Sequence, residues 1–147
     1  MLTRVEISSL IEVSAAPEEV WRAVVDWPGQ RRWMLGTRVQ GGQGLGAEVT
    51  ARTGAGPLAF TDTMIITDWD PPRRCVVRHT GRVVRGDGIF EVTPRGTGCE
   101  FRWTERLDLP FGDAGRLGWR LVRPLAQRGM ALSLRRFARF VLAEAPR

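Results

Sequence analysis

The chain has 147 residues, 43% of them hydrophobic and 26% charged, with a formal net charge of +6 and a pI of about 11.2. That is the size and composition of one globular domain able to bury its own core, so residues 1–147 read as a single domain. Having one His and no Lys, Tyr or Asn, the chain excludes P-loop and Schiff-base lysines, HExxH zinc sites and three-histidine centres.

The opening MLTRVEISSLIEV has no apolar signal region and no stretch is long enough to span a bilayer, so the expected compartment is the cytoplasm. Cys75 and Cys99 then read as reduced thiols. The spacing of Cys75, His79 and Cys99 matches no zinc finger or ribbon. No metal and no cofactor are expected. The charge is unevenly placed. Residues 1–113 carry 14 Arg against 15 acids, whereas residues 114–147 carry 8 Arg against Glu144. The basic excess thus lies in the C-terminal segment, and part of it has a bland source. Arg, Gly, Ala and Pro use GC-rich codons, while the absent Lys and Asn use AT-rich ones.

In chain order, residues 3–13 alternate cleanly, with Val5, Ile7, Ser9, Ile11 and Val13 on one face of a half-buried strand. Pro17 followed by Glu18 and Glu19 starts a helix with an apolar stripe of Val20, Trp21, Val24 and Val25. A short second helix is expected through Gln30–Met34. From 37 to 109 strands alternate with turns: 37–40, 47–53, 58–69, 74–80, 87–93 and 99–109. The glycine-rich 41–46 stretch joins two strands and precedes no helix, so it reads as a hairpin turn at a pocket mouth and not as a phosphate cradle. Residues 113–144 form one long amphipathic helix. Its expected apolar face holds Leu121, Val122, Leu125, Ala126, Gly129, Leu132, Ser133, Phe137 and Phe140, with a kink at Pro124. The predicted class is α+β: a seven-stranded antiparallel sheet wrapped around a long C-terminal helix, with two short helices after the first strand, a helix-grip.

Several segments together resemble the START/pollen-allergen-like superfamily, also called SRPBCC and often labelled polyketide cyclase or dehydrase. They are the opening strand running into Ala16-Pro17-Glu18-Glu19-Val20-Trp21, the Asp26 to Trp33 segment, Gly96-Thr97-Gly98 before the last strand, the Leu109-Pro110-Phe111-Gly112 exit and the terminal helix. The resemblance covers nearly the whole chain and implies a cavity between sheet and helix. It also implies that Thr61, Thr63, Ile65, Thr67 and Trp69 face that cavity. The family's cyclases place an arginine on this strand and a tyrosine in the early helical segment. Here the arginine's position is Thr67, and there is no Tyr.

On the last strand, Cys99, Phe101, Trp103, Glu105 and Leu107 share one face, which sends a carboxylate into an otherwise apolar gap. A buried carboxylate must be paired, protonated or in contact with water, and desolvation raises its pKa unless something answers it. Glu105 therefore reads either as a pocket residue, the polar role the resemblance implies for it, or as a structural salt-bridge partner. His79 points inward if Cys75, Val77 and His79 form the buried set of their strand. It reads either as a general acid–base partner of Glu105 or as a satisfied core residue. The expected cavity lining is Trp33, Val49, Thr63, Ile65, Thr67, Phe90, Val92, Phe101, Trp103, Glu105, Ala126, Met130 and Phe137.

The expected function is binding of a hydrophobic small molecule of lipid, polyketide or isoprenoid type. The alternative is a cyclase or dehydratase using Glu105 and His79 as acid and base, and a regulatory domain acting through a partner surface is a third reading. Arg116, Arg120 and Arg123 share a face suited to an acyl carrier protein or an anionic membrane surface. No base-reading motif accompanies the charge, so no specific nucleic-acid partner is expected. The assembly is expected to be a monomer or homodimer.

Overall fold

The computed structural model describes residues 3–82 and 84–144. The elements are β1 (Thr3–Val13), α1 (Pro17–Val24), a 3₁₀ helix (Pro28–Arg32), β2 (Thr37–Gly41), β3 (Glu48–Thr53), a 3₁₀ turn (Gly56–Leu58), β4 (Phe60–Asp70), β5 (Arg74–His79), β6 (Gly86–Arg95), β7 (Gly98–Leu109) and α2 (Gly112–Glu144). The seven strands make one antiparallel sheet in the order β1-β7-β6-β5-β4-β3-β2. The architecture is the predicted α+β helix-grip. The second helix begins earlier than expected, at Pro28, whose fixed φ suits a first helical position.

Strand alternation sets the inner face. Val13 pairs with Cys99 and Ile7 with Glu105 across β1 and β7. Phe90 pairs with both Cys75 and Trp103 across β6. On β5, Cys75, Val77 and His79 point inward, as predicted, each level with an inward residue of β6. The core is tightest where Trp33, Phe101 and Phe137, all fully buried, meet edge-on or tilted with centroids 4.7–6.1 Å apart. These are favoured aromatic geometries.

The expected inner face of β4 is wrong. Thr61, Thr63, Ile65 and Thr67 are exposed, and Asp62, Met64 and Ile66 are buried. The cause is a bulge: Ile66 pairs with Val77 but Asp68 pairs with Val76, so Thr67 is an extra residue. A bulge flips the alternation. Trp69 therefore does turn inward, against Trp21 at 5.2 Å, while the residues at even spacing before it turn outward.

The helix also differs from its expected pattern. It runs through Pro124 as one element, and its buried positions are Met130, Ser133, Leu134, Phe137 and Val141. Leu121 and Leu125, assigned to the apolar face, are 72% and 67% exposed, and Val122 and Leu132 are exposed too. The reason is phase. At 3.6 residues per turn, Leu121, Leu125 and Leu132 fall about 140–180° from the centre of the buried stripe and point away from the sheet, and Val122 sits at its margin.

Phe137→Ala should therefore lower the unfolding free energy by about 3–5 kcal/mol. Leu121→Ala, on the outward side of α2, should change it by less than about 0.5 kcal/mol. Urea or guanidinium titration of the two variants checks the contrast.

Candidate functional site

Between the inner face of the sheet and α2 lies a cavity of about 440 Å³. Sequence-predicted residues that line it are Val49, His79, Phe90, Trp103, Glu105, Ala126 and Met130. Trp33, Val92, Phe101 and Phe137 do not reach it. All four are buried in the adjoining core, where they pack the helix onto the sheet. Thr63, Ile65 and Thr67 lie on the opposite face, for the reason given by the bulge. The cavity sits toward the sheet end where Thr53 meets Phe60 and His79 meets Gly86, because Thr53, Phe60, His79 and Leu107 border it.

One end of this mostly apolar space is ionic. His79, its side chain only 5% exposed, stands between two carboxylates. Its Nδ1 lies 3.0 Å from Asp62 Oδ1, and its Nε2 lies 3.0 Å from Glu105 Oε2. The other Glu105 oxygen, Oε1, accepts from Trp103 Nε1 at 2.9 Å. Burial is the largest single influence on His79 and pulls its pKa down. The hydrogen bonds and charges of Asp62 and Glu105 together outweigh it, and the imidazole is pushed up to about 10. At neutral pH His79 is an imidazolium donating both N–H groups to carboxylates.

The backbone makes room for this bridge. β6 runs between β5 and β7, and its inward positions beside His79 and Glu105 are Gly86 and Gly88. A side chain at Gly88 would crowd the bridge, and one at Gly86 would meet the backbone of β7. A Cβ at Gly88 would lie 3.1 Å from Glu105 Oε1, and one at Gly86 would run into the Arg106 carbonyl. Gly86 also holds φ at 118°, a region glycine tolerates.

Asp62 is the residue that sequence reasoning missed as part of the site. Its signal is the apolar face Phe60, Met64 and Ile66, with which it alternates. That face is the more hydrophobic side of β4. The expectation for His79 as an acid–base catalyst is not matched by the geometry, since neither ring nitrogen has a free edge toward the cavity. The thiols are poor nucleophiles: burial pushes Cys75 up to about 12, and Cys99 is also raised by burial. Arg116, Arg120 and Arg123 are exposed on α2 and are not among the residues that line the cavity. Among the described residues, no helix is long and apolar enough to cross a membrane.

The His79 bridge has a pH signature. Its folded pKa of about 10 is above the ordinary 6.5, so between those values the folded chain holds a proton that the unfolded chain has released. The stabilisation is complete below about 6.5 and is lost as pH rises through about 10. The stability difference between the native protein and His79→Gln, from urea unfolding at a series of pH values, should shrink steadily across that window.

Solved structures share this architecture. TTHA0849 from Thermus thermophilus superposes with a TM-score of 0.78 at 22% identity, over 97% of this chain and 100% of that one. The ZhuI aromatase/cyclase from Streptomyces sp. R1128 gives a TM-score of 0.77 at 16% identity, covering 95% of this chain and 94% of that one. The di-domain aromatase/cyclase StfQ of the steffimycin biosynthetic pathway gives 0.75 at 13% identity, over 95% of this chain and 51% of that one. At these identities the likeness is one of fold. No curated protein matches the chain in sequence. A sequence model described as polyketide cyclase/dehydrase and lipid transport matches residues 4–141. That span takes in β1, both carboxylates of the bridge and the pinned half of α2, and the chain belongs to this family.

Proposed function

We propose that this protein binds a hydrophobic small molecule of lipid, polyketide or isoprenoid type in the cavity between sheet and helix. The observation that carries the reading is the cavity itself, about 440 Å³, walled by side chains such as Val39, Met64, Val77, Phe90 and Met130 and ending on the Asp62–His79–Glu105 bridge. Pockets of this size with few, convergent polar groups are the usual form of small-molecule sites. Burying an apolar ligand there gains roughly 25 cal/mol per Å² removed from water. The carboxylates fix the orientation of a polar end.

The second reading, a cyclase or dehydratase, is favoured by the family description and by the aromatase/cyclase neighbours. A general base must reach its proton with a free lone pair. Glu105 has lone pairs left over, but His79 is committed on both sides. Glu105→Gln separates the readings. For a binder it should weaken a ligand that donates a hydrogen bond by about 1–3 kcal/mol. For an enzyme, turnover should fall by roughly a hundredfold or more with binding nearly intact.

The binding reading has a direct test in Gly129, which lines the cavity from α2 and has nothing within 4 Å of where its Cβ would lie. Gly129→Phe places a ring in the empty space. It also removes a glycine from a helix interior, which costs about 1 kcal/mol relative to alanine. The variant should keep or raise Tm and lose uptake of the neutral fluorescent probe N-phenyl-1-naphthylamine. Probe uptake undiminished in a folded Gly129→Phe would count against this cavity as the binding site.

A further inference from the structure

We propose, building on the reading that this cavity binds apolar molecules, that it selects them by charge: it takes apolar amines and neutral hydrogen-bond donors and rejects apolar carboxylates.

Among the described residues that line the cavity, the charged ones are Asp62, His79 and Glu105. Two carboxylates against one imidazolium leave one net negative charge. The chain has no Lys, and none of its arginines is among those lining residues. A carboxylate ligand would therefore find no cation to pair with.

Most donors that might serve in place of a cation are already used; the exceptions are the Ser133 hydroxyl, which accepts from the Leu35 N–H, and the second N–H of Gln30, both uncharged. Both N–H groups of His79 go to Asp62 and Glu105, and the Trp103 indole N–H goes to Glu105. The Trp27 indole N–H donates to the Gly42 carbonyl at 2.7 Å, and Gln30 Nε2 donates to the Val24 carbonyl at 2.9 Å. The Thr37 hydroxyl donates to the Leu35 carbonyl at 3.1 Å. Acceptors are in surplus. An ionised carboxylate offers about four lone-pair sites, and each Glu105 oxygen accepts one hydrogen bond from these neighbours. A ligand ammonium or hydroxyl completes this arrangement. A ligand carboxylate adds a like charge beside two partly buried carboxylates, where charges are screened less than on the open surface.

The test uses three ligands with one chain: decylamine, 1-decanol and decanoate, each displacing N-phenyl-1-naphthylamine at pH 7.5. The native protein should release the probe to decylamine and decanol at concentrations at least about tenfold below those needed for decanoate. Glu105→Gln removes the net charge, so the preference for decylamine over decanoate should narrow by about tenfold. Asp62→Asn should narrow it in the same direction and serves where the first variant folds poorly. Decanoate competing as well as decylamine in the native protein would overturn charge selection while leaving apolar binding intact. Failure of the native protein to take up the probe or any of the three would overturn the binding reading, and this inference with it.

Discussion

Trp33 stands edge-on to Phe137 at 4.9 Å and to Phe101 at 6.1 Å, with Phe101 and Phe137 themselves 4.7 Å apart. This three-ring contact ties the 3₁₀ segment, β7 and α2 together, and it pins the helix toward its C-terminal end. Toward the other end the helix faces the sheet with Met130, Gly129 and Ala126, and the opposing wall is Trp103, Glu105 and Leu107. Small residues on the helix leave the gap unfilled. The ring cluster carries the helix–sheet contact that this end of the helix does not make.

Regular local geometry explains which parts of the fold are legible in the amino-acid sequence. β1 and β7 pair along their full lengths without a bulge, so period-two alternation reads their inner faces correctly, down to Glu105. α2 shows where amphipathicity misleads. Leu121, Leu125 and Leu132 are apolar but lie on the side of the helix opposite Met130, Leu134 and Phe137, and they are exposed. With apolar residues on both sides of the helix, the pattern alone does not single out the side that meets the sheet.

β4 fails for a different reason. A bulge at Thr67 makes inward Trp69 and inward Thr63 mutually exclusive, and nothing in the run of Thr and Ile residues marks the extra position. The face inferred from the resemblance followed Trp69, so Asp62 fell on the wrong side. The bridge itself is a three-strand feature. It needs Asp62 from β4, His79 from β5 and Glu105 from β7, with two glycines of β6 between the last two. Local pattern places each residue on a face, but only the registers of β4, β5, β6 and β7 together place the three side chains within hydrogen-bond reach.

The bridge resolves a conflict between burial and polarity that the cavity would otherwise impose. Two unpaired carboxylates in such a place would cost several kcal/mol each. A single arginine between them would leave the same net charge, but it would bring a long side chain and extra donors into the space the cavity occupies. Imidazole is short and planar, with donors at opposite edges once protonated. It joins Asp62 and Glu105 in the plane of the ring and leaves the volume above the glycine lane open. Glu105 is the more exposed of the two carboxylates, its side chain 19% exposed against 11% for Asp62. The group with room to meet a ligand is therefore also an acceptor, and the polar end of this cavity is built on a residue that cannot turn away without leaving two carboxylates unpaired.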